Sequence, residues 1–141
     1  MRLALSLLLL ALPLQAATYY VATTGNDGNP GTQAQPWLTV QRAANTTVAG
    51  DMVIVNAGTY AERVTESTSG MAGNPITYTT NGVVSVGGFT LTGQYVTLDG
   101  FSLTGAGGGA HFVTVSAHNA TARNISVINP AHSSIMGVRV N

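Results

Sequence analysis

From Ala49 onward, apolar and polar residues alternate in short stretches, each closed by a turn residue. Such alternation marks a half-buried strand. In "GDMVIVNAGTY" (50–60) it predicts a strand from Met52 to Asn56, with turns at Gly50-Asp51 before it and Ala57-Gly58 after it. "GMAGNP" (70–75) reads as a turn, "ITYTT" (76–80) as a strand, and Asn81-Gly82 as a bend into "VVSVGG" (83–88). "FTLTG", "YVTLDG" and "FSLTG" then follow one another across 89–105, and Gly107 to Gly109 form a flexible excursion. "HFVTVSA" (111–117), "ARNISVIN" (122–129) and "MGVRVN" (136–141) complete the series. The inward set predicted by the alternation is Val53, Val55, Ile76, Tyr78, Phe89, Leu91, Val96, Leu98, Phe101, Leu103, Val113, Val115, Ile125, Val127, Val138 and Val140.

Before Ala49 the pattern differs. "TYYVA" (18–22) gives one short strand over Tyr19 to Ala22, and a loop rich in Gly, Asn, Asp and Pro follows. In "PWLTVQRAAN" (36–45), Trp37, Val40, Ala43 and Ala44 fall on one face at helical spacing. Pro36 suits the first helical position. A short helix is therefore predicted from Pro36 to Asn45, its apolar side inward.

Strand groups starting at Val53, Ile76, Val96 and Asn124 recur at intervals of about 20 to 30 residues, the spacing of a solenoid. In a parallel β-helix each short strand pairs with its equivalent one coil later, about 4.8 Å away. Glycines such as Gly58 and Gly100 then make the bends. A flat or sandwiched sheet is the alternative, with hairpins at Asn81-Gly82 and Asp99-Gly100. A stack leaves a raw edge at each end. The predicted helix covers the first. Nothing in the sequence covers the last, where "VRVN" stops in mid-pattern, so the expectation is an incomplete product or self-association through that edge.

Residues 1–17 stand apart. Arg2 precedes the apolar run Leu3 to Leu12, Pro13 breaks it, and "LQAA" (14–17) ends in small residues. This is the pattern of a secretory signal peptide cleaved near Ala16 or Ala17. The run is shorter than the roughly 20 residues that cross a bilayer. No later segment approaches that length, so no membrane association is expected after signal removal. The remainder, 18–141, reads as one unit: cap and first coils. Cysteine is absent, so an exported chain holds together without disulfides. Only 7 % of residues are charged, and all five basic residues are arginines. No basic patch for phosphates can be assembled, so a nucleic-acid partner is not expected.

"YYVATTGNDGNPGTQAQPWLTVQRAANTTVAGDMVIVNAGTY" (19–60) resembles the opening of secreted right-handed parallel β-helix proteins of the pectate-lyase-like superfamily. The likeness is to family-9-type pectate lyases and related domains of unknown function. It rests on the "YYV" strand, "GNDGNPGT", "QPWLTVQRAA" and "GDMVIVNAGTY"; "YVTLDGFSLTG" and "ARNISVIN" also look like coils of that family. The resemblance implies an all-β right-handed parallel β-helix with a short amino-terminal capping α-helix, and export. It implies a polysaccharide partner, with uronic acids among its sugars. Family lyases remove a proton beside a carboxylate with a lysine or arginine base while calcium neutralises the acid, a role suited to a hard cation. Family-9-type enzymes use a lysine and an aspartate cluster from middle coils. This chain has no lysine, and Asp27, Asp51 and Asp99 lie far apart. No catalytic residue carries over, and no cofactor is expected in this chain, calcium belonging to a full-length relative.

The function expected is thus the non-catalytic start of a secreted polysaccharide lyase. The alternative is a non-catalytic carbohydrate-binding or structural surface protein. Glu62, Arg63, Tyr95, Asp99, Arg123 and Arg139 are the candidate carbohydrate contacts, arginine because it grips carboxylates in bidentate fashion. Each has a duller reading. Glu62, Arg63 and Glu66 read as a solvated loop after "GTY", Asp99 as a turn residue, and the arginines as solubilising charge. Asp27, beside Asn26 and Asn29, offers oxygens to a metal but lacks the acidic count of a calcium loop. Its plainer role is holding its own loop. Gly28, Pro30, Gly31, Pro36, Trp37, Asp51, Gly58 and Gly100 are read as turn and cap residues. His111, His118 and His132 lack metal-ligand spacing. Asn45, Asn119 and Asn124 head glycosylation-type triplets.

Overall fold

The computed structural model describes residues 15–105, 112–128 and the strand 138–140. Its elements are β1 (Thr18–Val21), α1 (Val40–Ala44), β2 (Met52–Glu66), β3 (Ile76–Leu91), β4 (Val96–Asp99), β5 (Ser102–Leu103), β6 (Val113–Val115), β7 (Thr121–Arg123), β8 (Ser126–Val127) and β9 (Val138–Val140). Every pairing between these strands is parallel. The chain therefore coils forward, and the hairpin alternative is excluded for the described residues.

Three ladders run along the stack. In the first, Tyr19, Val53, Tyr78, Leu98 and Ala122 are successive partners. In the second, Tyr60, Val86, Leu103 and Val127 align. In the third, Val64, Phe89, Val113 and Val138 align. β2 and β3 visit all three ladders in one continuous run, with register breaks near Asn56/Gly58 and Tyr60/Arg63. The turns expected at Ala57-Gly58 and Asn81-Gly82 are corners within long strands, because the next coil pairs on both sides of each bend. Later coils are interrupted. Gly100, at φ 89°, turns β4 into β5 in a left-handed conformation that favours glycine. Asn124, at φ 54°, makes the same corner between β7 and β8. The fourth coil thus starts at Thr121, not Asn124.

Period-2 alternation puts one set of side chains inside. Of the inward set read from the sequence, every member from Val53 to Val115 is buried. Val21, Val64, Val84 and Val86 join them. Tyr78, Phe89 and Phe101 form an aromatic run through the middle, Phe89 and Phe101 edge to face with centroids 5.1 Å apart. The expectation fails at the far coil: Ile125 is only partly covered, and Val127 is 40 % exposed. The side chains of Val138 and Val140 lie outside the described residues.

The cap helix is shorter than the sequence pattern predicts. Trp37 pairs with Val21 in a parallel bridge and donates its backbone N–H to Tyr20 O. Trp37 therefore forms a one-residue bridge beside β1, and Pro36 is not helical. Thr39 is the N-cap, its Oγ1 accepting from Arg42 N at 3.1 Å. Trp37 is core, as expected. It stacks on Tyr19 at 4.6 Å, donates Nε1–H to Asn29 O at 2.7 Å, and receives the Arg42 guanidinium at 5.5 Å. Gly31 lies against the indole, where a Cβ would fall 2.6 Å from Trp37 Cε2. Nearby, Asn26 Oδ1 accepts from Gly28 N, Asn29 Nδ2 donates to Pro36 O, and Pro30 is exposed. A Cβ on Gly58 would press on Thr23 at 2.6 Å.

Candidate functional site

Outward positions of the first ladder make a polar face. Met52, Thr77, Thr97 and Thr121 form one column, and Ile54, Thr79, Asp99 and Arg123 the next. Their neighbours Ile76, Tyr78, Val96 and Leu98 point into the core, which fixes these side chains outward. At the end of this face the parallel register sets Arg123 beside Asp99, 24 residues earlier in sequence. Asp99 Oδ2 accepts from Arg123 Nε at 3.0 Å and lies 2.9 Å from Nη2 in an ion pair. Asp99 Oδ1 accepts from Asn124 Nδ2 at 2.7 Å. The Asn124 bond, followed by the Arg123 charge and its hydrogen bond, holds the Asp99 carboxyl below its ordinary range. Arg123 itself is 60 % exposed. The corner thus presents an oriented cation beside a column of threonine hydroxyls.

The other candidates lie elsewhere. Glu62 is in β2, not a loop. Its Oε1 accepts from Val40 N at 2.7 Å and its Oε2 from Gln41 N at 3.0 Å, so it closes the start of α1. Arg63, also in β2, pairs in register with Gly88 on the third ladder. Its Nη1 lies where a Cβ on Gly88 would come within 2.7 Å. Tyr95 is partly buried in the bend before β4 at φ 52°, its carbonyl accepting from Ile76 N. Arg139 belongs to the third ladder beside Thr114, away from Arg123, and its side chain lies outside the described residues. His111 and His132 also lie outside them, and His118 is exposed on a turn.

Asp27 works as a loop clamp. Its Oδ1 accepts from Leu38 N and Thr39 N, both at 2.9 Å, and its Oδ2 from Thr39 Oγ1 at 2.8 Å. Among the described residues no group of three or more His, Cys, Asp or Glu is placed to hold a metal. The polar corner does not fit calcium either. Asp99 is the acid of that corner, and hydrogen-bond donors, one of them cationic, occupy both its oxygens. Thr23, Leu38, Thr39, Thr59, Tyr60, Ala61 and Glu62 line a cleft beside the cap.

Two residues carry more than sequence reasoning assigned them. Asn124 is a partner of Asp99 as well as a corner residue; its signal was its place one coil after Gly100, where a left-handed residue is needed. Glu66, read as solvated, is fully buried. Its Oε2 accepts from the hydroxyls of Tyr78 and Thr47, and its Oε1 from Thr68 N at 2.7 Å. Burial raises its pKa, and these bonds pull it back in part.

A family model described as "Pel9A-like, right handed beta helix region" matches residues 19–139. Among solved structures, a rhamnogalacturonan lyase is similar at TM-score 0.62 and 24 % identity over 81 % of this chain and 38 % of its own. The pectate lyase Pel9A gives TM-score 0.66 and 20 % identity over 88 % of this chain and 38 % of its own. A GH136 lacto-N-biosidase from Eubacterium ramulus gives TM-score 0.67 and 17 % identity over 88 % of this chain and 30 % of its own. At these identities the likeness concerns the fold. This chain spans 30–38 % of the length of these three structures. No curated protein matches the sequence.

Proposed function

Since the chain belongs to the Pel9A-like right-handed β-helix family, we propose that it is an exported, polysaccharide-directed β-helix segment that binds uronic-acid-containing glycans rather than cleaving them. One observation carries this reading. Arg123, oriented by Asp99 and flanked by Asn124, stands beside an outward column of threonines, Thr77, Thr97 and Thr121, on parallel strands. A guanidinium already fixed at Nε and Nη2 loses little freedom on meeting a carboxylate, and arginine suits that shape. Hydroxyls on successive coils repeat about every 4.8 Å and offer neutral hydrogen bonds along a sugar chain. Family-9-type lyases carry out β-elimination with a lysine base and an aspartate cluster. The sequence has no lysine, and Asp99 is committed to Arg123 and Asn124. Export is supported by the leader pattern of residues 1–17.

Affinity electrophoresis through polygalacturonate, with a neutral glucan as control, tests the reading. Retardation by polygalacturonate is expected, with roughly five-fold weaker binding for Arg123→Ala, as suits an exposed charge contact. Ultraviolet absorbance of unsaturated product, with calcium present, is expected to stay flat. Equal mobility with and without polygalacturonate sinks the binding reading, and accumulating product sinks its non-catalytic part.

A further inference from the structure

We propose that the Ala16–Ala17 peptide bond is the processing site of this chain, and that the α-ammonium released on Ala17 forms an ion pair with the buried Asp51 carboxylate. The inference goes beyond the carbohydrate reading and does not depend on it.

Asp51 is 1 % exposed. Its Oδ2 accepts from Val48 N at 2.8 Å and its Oδ1 from Ala17 N at 2.8 Å. Among the described residues its side chain is met by amide donors, with no cation beside it. A buried carboxylate held by neutral amides alone is costly, and a charged partner offsets that cost. Cleavage supplies the charge. Hydrolysis breaks the C–N bond between Ala16 and Ala17. The hydroxyl of water goes to the Ala16 carbonyl carbon and its proton to Ala17 N, which takes a second proton from solvent at neutral pH. The amide donor already 2.8 Å from Asp51 thereby becomes an ammonium without moving.

The position of the cut follows from the same contacts. Gln15 and Ala16 are exposed and lie just outside β1, open to a peptidase. Ala17 is held from both sides, its carbonyl accepting from Met52 N at 2.8 Å. A cut after Ala17 would strip Asp51 of one donor and leave the Met52 N–H unpaired. A cut after Gln15 would put a long polar residue where signal cleavage favours a small one. Arg2, the apolar run Leu3 to Leu12 and Pro13 stand at the right distance upstream.

Export of the full chain from a secretion-competent host, then amino-terminal sequencing and intact mass, is expected to show a product starting at Ala17. A start at Thr18 or elsewhere, or an uncut chain, overturns the processing site. In that product the Ala17 amine is expected to hold its proton above the ordinary α-amino range of about 7.7–8.0. Acylation by an amine-selective reagent at neutral pH is therefore expected to be roughly ten-fold slower in the folded protein than in urea. Asp51→Asn is expected to restore fast acylation. Tyr78, from β3, also faces Asp51, with Glu66 beyond it. Tyr78→Phe is therefore made as a control and is expected to leave the acylation profile in place. If Asp51→Asn does not fold, the native protein alone decides: equal rates folded and unfolded overturn the ion pair.

Discussion

Replacing Glu66 with glutamine tests how an acid is kept inside an apolar stack. Glu66 is fully buried at the end of β2, and its carboxylate gathers the Tyr78 and Thr47 hydroxyls and the Thr68 amide. Burial raises its pKa. The Tyr78 hydroxyl is pushed well up, by burial first and by the Glu66 charge second. A carboxyl whose folded-state pKa lies above its unfolded value contributes stability that is full below the unfolded carboxyl range. That stability is lost as pH rises through the folded value. Through this group, then, the wild-type fold weakens from acid toward neutral pH. Glutamine has no proton to lose and can still accept from Thr68 N and meet the Tyr78 hydroxyl. Glu66→Gln is expected to remove that slope and to match or exceed wild-type stability at neutral pH. Tyr78→Phe acts the other way. It strips a donor from a buried carboxylate and is expected to cost about 2 kcal/mol at neutral pH, growing as Glu66 ionises. Urea unfolding at a series of pH values, with unchanged slope against denaturant, measures both. Asp99 titrates alike in all variants and cancels in the differences. A wild-type minus Glu66→Gln difference that does not change with pH would refute the buried-acid account.

Phe89→Ala, at the centre of the aromatic run, is expected to cost about 3–5 kcal/mol in urea unfolding, with the shallower site Phe112→Ala costing less. Gly93→Ala would place a Cβ 1.9 Å from the Thr68 carbonyl oxygen; since that atom is backbone, a loss of about 3 kcal/mol is expected by thermal unfolding. Glu62→Ala removes the carboxylate that receives Val40 N and Gln41 N and is expected to cost about 1–2 kcal/mol, while Glu62→Gln recovers part of it.

Face and fold were legible because alternation is local. A residue two positions from a buried valine is buried too, whichever coil it joins. Hence Val53 to Val115 were placed inside without knowledge of their neighbours. The cap was half legible. Trp37 was correctly apolar and inward, but helical spacing over Pro36 to Asn45 could not reveal that Trp37 would pair with Val21. A sheet bond with β1 outcompetes the first helical turn, and Thr39 then starts a helix one turn late. The corners at Gly58 and Gly82 looked like strand ends because bend residues are the same whether pairing stops or continues.

By itself, the sequence determined that short strands alternate inward and outward, that their groups recur at coil spacing, and that a cap precedes them. These properties depend on near neighbours in the chain. Only the tertiary structure decided which distant polar groups meet. Coil length and register bring Arg123 to Asp99, Glu62 to the start of α1, Asp51 to Ala17, and Glu66 to Tyr78 inside the core. A carboxylate in a sequence carries no mark of its partner. Its environment is set by what the neighbouring coil places one strand spacing away.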